Sequence, residues 1–495
     1  MVDHIEVRGG AYADSVSLMQ VSRRVSDVDG VDAALVAMAT ALNLEVLEGM
    51  GFAAPDAGPN DLVVAIRAGD DDAVGVALTE LEAALAASSG GGAMAGFGDA
   101  PPPRTVRDAA TFGADLVLVS TPGDSAYLEA IDALRAGLHV MVFSDNVPLE
   151  QEIALKREAT ERGLLVMGPD AGTAIVSGVG LGFANVVAPG PVGVVAASGT
   201  GAQHLTCLLD DAGVGISHAL GVGGRDLKAE VGGLSTRVAL AALDADPATE
   251  LIVLLSKPPG EAVAAELREL AASLDTPVVF GLLGPTADDL TTVADEVIEQ
   301  LGRTAPPWAT WGDRPGTGVA DTAGEGRLVG LFSGGTLCSE AVLIAEAALD
   351  GVRSNVTADP DRRLREEVTA PGHVLIDLGE DEHTRGRPHP MIDQQLRLDR
   401  IAVEAADPRT RVLLLDVVLG HGAHPDPAGE LAPAIRGVLY DASAAGRELE
   451  VVVSMCGTAD DPQDRDAQAG ALAEAGAYVV ASNADAARTA VAVVA

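Results

Sequence analysis

Two short turns carry residues that could hold an anion: Ser198-Gly199-Thr200-Gly201 and Ser333-Gly334-Gly335-Thr336. Each follows an apolar run and leads into a stretch of helix length. The first amide N–H groups of a helix have no intrahelical partner, and the helix dipole favours negative charge there. Glycines let the backbone approach a ligand, and serine and threonine hydroxyls add donors. Taken singly, each turn could equally be a plain N-cap. Recurring at matched places, the two could face one phosphate or carboxylate from both sides.

A second cluster is the densest in polar side chains: Glu380, Asp381, Glu382, His383, Arg385, Arg387, His389 and Asp393. Arg387 and His389 sit in a Pro-flanked turn and are the candidate catalytic pair. A guanidinium grips a carboxylate or phosphate with two hydrogen bonds, and an imidazole moves a proton near neutral pH. Lys257, one of only three lysines, stands past an apolar run before Pro258-Pro259, where it is either an anion contact or a loop lysine. His421 and His424, with Asp416 and Asp426 near, match no metal-binding spacing, so no metal site is expected. Cys207, Cys338 and Cys456 are odd in number and far apart, which fits neither a disulfide framework nor a zinc site. Cys207 and Cys338 lie in the helices after the two turns and, like His204, read as core residues.

The elements that position these residues follow from apolar patterning. The chain has 495 residues, enough for three or four domains at roughly 100–200 each, and 48% are hydrophobic. Against 73 acidic residues stand 32 basic ones, a net charge of −41. That field repels nucleic-acid phosphates and anionic membranes, so neither is an expected partner. No apolar run reaches the roughly 18 residues of a membrane span, and the N-terminus shows no leader pattern, so a cytoplasmic location is expected.

Apolar runs recur at Leu116–Val119, Val140–Phe143, Leu164–Met167, Val192–Ala196, Leu251–Leu255, Val278–Leu282, Val329–Phe332, Val374–Ile376, Val412–Val418 and Val451–Val453. Most precede a polar turn and an amphipathic stretch. Such strands imply parallel sheets covered on both faces. Three of these runs between 190 and 303, with a further strand ending in Gly221-Val222-Gly223-Gly224-Arg225-Asp226, match the four runs after 327 in order, each series opening on a Ser-Gly turn, which marks an internal repeat. The expected architecture is α/β and multi-domain. It comprises a small α/β module (1–87), a linker (88–104), a Rossmann-like unit (105–189), a flavodoxin-like domain (190–303), a linker (304–326) and a second flavodoxin-like domain (327–495).

Several motifs carry a family resemblance. Ser120-Thr121-Pro122, Ser144-Asp145-Asn146-Val147-Pro148, Met167-Gly168-Pro169-Asp170, Ser198-Gly199-Thr200 and Gly221-Val222-Gly223-Gly224 resemble the α subunit of succinyl-CoA synthetase. Residues 327–495 resemble the C-terminal ligase domain of its β subunit. With Asp14–Met19 and Gly386–Asp393, the whole chain resembles the FdrA family, which fuses these parts. The resemblance makes 105–189 a CoA-binding-type unit, with coenzyme A along Ser120, Thr121, Pro122, Asn146 and Pro148. It sets the two Ser-Gly turns where the synthetase's helix ends flank a phosphohistidine. It departs from the synthetase in the loop Gly281–Asp289, which holds no histidine, and in having no nucleotide-binding domain or P-loop.

The resemblance implies one subunit of an oxamate carbamoyltransferase-like complex, with phosphate or carbamoyl phosphate as substrate and further protein subunits as partners. That enzyme belongs to allantoin catabolism and interconverts oxalurate plus phosphate with oxamate plus carbamoyl phosphate. The alternatives are an acyl-CoA ligase whose nucleotide-binding subunit is a separate chain, and a non-catalytic CoA- or anion-binding scaffold.

Overall fold

The structure, a computed structural model, describes all residues except 10–14, 91–102, 104, 317–325, 358, 365–371 and 385–387. The chain divides into two compact units, Met1–Phe112 with Thr384–Pro388, and Gly113–His383 with His389–Ala495.

In the first unit, strands Val2–Gly9, Asp61–Ala68 and Val31–Met38 form an antiparallel sheet with Asp61–Ala68 in the centre. The central strand is apolar at successive positions because both its faces are covered. Leu62, Val64 and Ile66 pack with Leu18, Val21 and Val25 of helix Ser15–Ser26 and with Ala77 and Leu81 of helix Asp71–Gly90. Val63 and Ala65 pack on the other side with Leu47 and Phe52.

Among the described residues the second unit holds three sheets. Strands Leu116–Val119, His139–Val142 and Val166–Met167 are parallel, joined through helices Gly123–Arg135 and Leu149–Arg162. The second sheet runs Val278–Leu282, Leu251–Ser256, Pro189–Ala197, Ile216–Gly221, and then the hairpin Thr173–Val176 and Val179–Gly182. The third runs Thr310–Trp311, Tyr478–Val480, Glu450–Cys456, Thr410–Val418, Arg327–Phe332, Val374–Asp377, Arg353–Ser354. Counted within each repeat, both large sheets carry the parallel order 2-1-3-4, which is the flavodoxin-like order. The α/β class with parallel sheets, expected from the continuous apolar runs, is what the chain forms.

Two short pieces extend these sheets beyond the repeat. The hairpin at 173–182 pairs antiparallel with Ile216–Gly221, so the chain enters the second sheet before its first long strand. Thr310–Trp311, inside the Pro-rich stretch 304–326, adds an antiparallel edge to the third sheet. Among the described residues no helix is long and apolar enough to cross a membrane.

The two large sheets share one core. Leu205 and Leu208 of helix Gly199–Asp211 and Val293 and Val297 of helix Leu290–Gln300 pack with Leu337 and Ala341 of helix Gly335–Ala348 and Ala487 and Val491 of helix Asn483–Val494. Three hydrogen bonds tie polar groups across this four-helix layer. The His204 Nε2 accepts the Asn483 amide at 3.2 Å, while Glu340 accepts the Leu290 amide and the Asn483 side chain, both at 2.6 Å. Each repeat therefore satisfies an otherwise unpaired N–H at the start of a helix in the other repeat.

His204 can accept that bond only as neutral imidazole, and burial lowers its pKa to about 4. Between pH 6.5 and 4 the unfolded chain then takes up a proton that the folded chain refuses, so stability falls as pH drops through that window. The shift corresponds to about 3 kcal/mol. Urea unfolding of the wild type should therefore lose that much more than His204→Gln between those pH values. Parallel losses in the two proteins would contradict the assignment.

Candidate functional site

Helix Gly199–Asp211 begins in the usual way, with the Ser198 hydroxyl capping the Gly201 amide at 3.1 Å. Helix Gly335–Ala348 begins differently. Gly334 offers no side-chain cap, and a carboxylate from the neighbouring strand takes its place. Asp416 accepts from the Ser333 amide (2.7 Å), the Ser333 hydroxyl (2.9 Å) and the Gly334 amide (2.7 Å). Behind it the buried Arg397 guanidinium donates to the same carboxylate at 2.8 Å and to Gln394 at 2.9 Å. Three donors of the second turn are thus already committed to a charge-balanced internal pair.

The two helix ends meet. Ser198 Oγ and Thr336 Oγ1 are 2.7 Å apart, and the Thr336 amide donates to Thr200 Oγ1 at 3.4 Å. The carboxyl ends of both sheets converge here, where ligands sit in folds of this kind. The amides of Gly199, Thr200 and Gly335 belong to the first helical turns and have no intrahelical partner.

Around Gly335 stand charged groups from two other segments. A methyl group on Gly335 would lie 2.4 Å from Asp377 Oδ2 and 3.0 Å from Lys257 Nζ. Lys257 follows strand Leu251–Ser256 of the first repeat; Asp377 ends strand Val374–Asp377 of the second. Asp377 Oδ1 accepts the Gly379 amide at 2.8 Å, and Glu380 lies 3.7 Å from Lys257. Burial pushes the Asp377 carboxyl up to about 7, against the pull of Lys257. Burial alone would lower the Lys257 pKa, but the carboxylates of Asp377, Glu380 and Asp170 outweigh it and hold the ammonium above its ordinary value.

His389 belongs to the same cluster. A Cβ on Gly379 would lie 2.6 Å from His389 Nε2, 2.9 Å from the Ser333 carbonyl and 3.1 Å from Asp377 Oδ1. His389 Nδ1 accepts the Met391 amide at 3.2 Å, which leaves the proton on Nε2. Burial, reinforced by the Arg397 guanidinium, lowers its pKa to about 4. The ring is neutral at physiological pH and can donate through Nε2. Arg387, its expected companion, lies outside the described residues.

The Rossmann-like unit brings its two motif loops together. The Ser144 hydroxyl donates to the Thr121 carbonyl at 2.5 Å, and a Cβ on Gly123 would stand 2.3 Å from the Asp145 carbonyl, so only glycine fits. Ser120, Thr121 and Pro122 lead into helix Gly123–Arg135, with Pro122 at its N-cap; Pro148 caps helix Leu149–Arg162, and Asn146 adopts a left-handed backbone (φ 54°). A buried ion network fixes the second loop. Lys156 Nζ bonds Glu152 (2.8 Å) and Asp226 (2.7 Å), and Arg225 joins Glu152 (2.8 Å) to the Val147 carbonyl (2.8 Å).

The remaining singled-out residues do structural work. His424 lies 3.5 Å from Glu430, Asp426 caps helix Pro427–Ala444, and the His421 backbone bridges to Ala184, so they do not converge with Asp416. Burial raises the thiols of Cys207 and Cys338 well above their ordinary values, which keeps them unreactive.

Residue types and spacing pointed to the two turns, Lys257 and His389 but not to Asp377, and to Asp416 only as a neighbour of His421 and His424. The available signal was a lone carboxylate in, or ending, an otherwise apolar strand, because such a group is kept only when paired or used.

The family described as CoA-ligase matches residues 331–493, which form the second of the two flavodoxin-like repeats. More particularly, the chain belongs to the family of the uncharacterized protein YahF of Escherichia coli K12. The two are 37% identical over 507 residues, covering 97% of this chain and 96% of YahF.

The chain is also 31% identical over 182 residues to the succinate–CoA ligase [ADP-forming] subunit alpha-2 of Trichomonas vaginalis. That match covers 35% of this chain and 57% of that protein, so the chain spans just over half of that relative's length. Among solved structures, it is similar to the dinucleotide-forming acetyl-coenzyme A synthetase 1 of Ca. Korarchaeum cryptofilum in complex with phosphate and ADP. Identity there is 15%, with 77% of this chain and 82% of that chain covered and a TM-score of 0.29.

The family described as AllF, heavy metal-associated domain, matches residues 1–99. Soft heavy-metal ions select thiolates. This segment has no cysteine and a single histidine, His4, and the described residues contain no group of three metal-ligating side chains. Its residues do not fit a heavy-metal ion.

Proposed function

We propose that the chain is a subunit of an oxamate carbamoyltransferase-like complex, in which phosphate and a carbamoyl group are exchanged where the two helix ends meet. The observation that carries this reading is the contact of Ser198 with Thr336 at 2.7 Å, beside Lys257, Asp377 and His389. Unpaired N–H groups, a lysine and a neutral imidazole donor suit the charge that develops when phosphate attacks a carbonyl. The loop Gly281–Asp289 has no histidine to be phosphorylated, which favours direct transfer between phosphate and the carbamoyl donor over a phosphoenzyme relay. Serving as one subunit among several accords with the FdrA resemblance. The loops Ser120–Pro122 and Ser144–Pro148 are the proposed place for coenzyme A or a substrate extension.

A second reading, an acyl-CoA ligase working with a separate nucleotide-binding subunit, is favoured by the match to a succinate–CoA ligase α subunit. The two readings separate when the chain is purified with its native partners. Oxalurate and inorganic phosphate should yield carbamoyl phosphate without ATP. If that mixture is silent while ATP, coenzyme A and a carboxylic acid yield a thioester, the ligase reading replaces the first.

A further inference from the structure

We propose that Lys257 and Asp377 form a proton-coupled oxyanion subsite over the N-terminus of helix Gly335–Ala348: Lys257 holds a carboxylate or phosphate oxygen of the substrate, and Asp377 takes up a proton as that anion enters. The subsite deepens the functional reading above and rests on its placing of the reaction at the joined helix ends.

The geometry carries this beyond a bare helix end. The Asp377 side chain is only 3% exposed. Its Oδ1 is held by the Gly379 amide, while Oδ2 accepts no hydrogen bond from the described residues and lies against Gly335, as Lys257 Nζ also does. A carboxylate oxygen without a donor, on a side chain this far from bulk water, is costly when ionised. It becomes favourable once protonated and given an acceptor, and an incoming oxyanion is such an acceptor. Lys257 supplies the attraction, because a hydrogen bond to a charged group is stronger than a neutral one.

The charges facing Asp377 set the coupling. Lys257 comes from the first repeat, Glu380 from its own loop, Asp416 from strand Thr410–Val418 and Cys338 from helix Gly335–Ala348. His389 stands neutral beside Oδ1, and Asp170 faces Lys257. The ionisable carboxyls outnumber the one lysine, so an anion cannot enter at low cost while Asp377 stays ionised. A carboxyl whose pKa lies near 7 can change state at physiological pH.

The same proton balances the proposed reaction. Phosphate oxygen bonds to the carbamoyl carbon as the bond from that carbon to the oxamate nitrogen breaks. Protonated Asp377 gives its proton to the leaving nitrogen, and the carboxylate takes the hydroxyl proton of monohydrogen phosphate. No proton is gained or lost over the cycle.

Calorimetric titration of the full chain with oxamate at pH 8, in two buffers of different ionisation enthalpy, tests this. Oxamate does not titrate there, so any uptake belongs to the protein. The wild type should take up about one proton per oxamate bound. Asp377→Asn keeps the Gly379 contact and should bind without uptake. Lys257→Met should weaken binding roughly 10- to 100-fold. Absence of oxamate binding, binding without uptake in the wild type, or uptake retained in Asp377→Asn would each overturn the subsite. Uptake as expected, without carbamoyl phosphate formation by the native complex, would leave the subsite standing and remove the transferase reading.

Discussion

Replacing Arg397 by methionine is expected to lower the unfolding free energy by about 3–5 kcal/mol. Arg397 is 1% exposed and its partner Asp416 is wholly buried, so removing the guanidinium strands a carboxylate away from water. The Ser333 and Gly334 donors remain, but they cannot balance a full charge. Arg397→Met combined with Asp416→Asn removes the stranded charge while keeping an acceptor for the Ser333 amide, and should recover at least half of the loss. Urea midpoints at constant slope measure both. A single-variant loss below about 1 kcal/mol would show that the pair is not the internal anchor of the second helix end.

The second large effect is on activity. Gly335→Ala places a methyl 2.4 Å from Asp377 Oδ2 and 3.0 Å from Lys257 Nζ. Asp377 cannot swing away cheaply. Its side chain holds the Gly379 amide, and its backbone is clamped by Asn355, which accepts its N–H at 2.9 Å and donates to its carbonyl at 2.8 Å. The methyl must therefore displace the carboxylate, the ammonium or both. Displacement of a reacting group by about 1 Å costs roughly 100-fold in rate, whereas overpacking costs about 1–3 kcal/mol in stability. A folded variant with a rate at least 100-fold down is the expected result. Gly437→Ala, on open helix surface, is the control and should leave the rate unchanged while raising stability by up to about 1 kcal/mol. Wild-type turnover in Gly335→Ala would place the reacting groups elsewhere.

The parts of the fold legible in the sequence were those with a strong local signal. Strands buried on both faces are continuous apolar runs, and Leu116–Val119 and Val278–Leu282 form with the bounds their runs suggest. Strand Val2–Gly9 escaped because His4, Glu6 and Arg8 alternate with apolar residues on a half-exposed sheet edge. Thr173–Val176 with Val179–Gly182, and Thr310–Trp311, are too short and too rich in glycine or proline nearby to carry a period.

The candidate site divides in the same way. Ser198 and Thr336 lie in recognisable turns, but their contact joins residues 138 apart, which no local pattern encodes. Asp416 reaches Ser333 across 83 residues, and its partnership with Arg397 depends on how helix Gln395–Ala406 packs on the strand. Asp377 is local in sequence to Gly379 and Glu380. Its importance comes from Lys257, supplied by the other repeat.

The central claim is that the reacting anion is held where the two repeats' helix ends touch. The most direct measurement is the rate of carbamoyl phosphate formation from oxalurate and inorganic phosphate by the purified native complex, with and without Ser198→Ala and Thr336→Val combined in this chain. Loss of a preorganised donor to a developing oxyanion typically lowers a rate roughly 100- to 1,000-fold. The predicted result is a fall of that order in a complex that still assembles. An unchanged rate, or no carbamoyl phosphate from the unaltered complex, would contradict the claim.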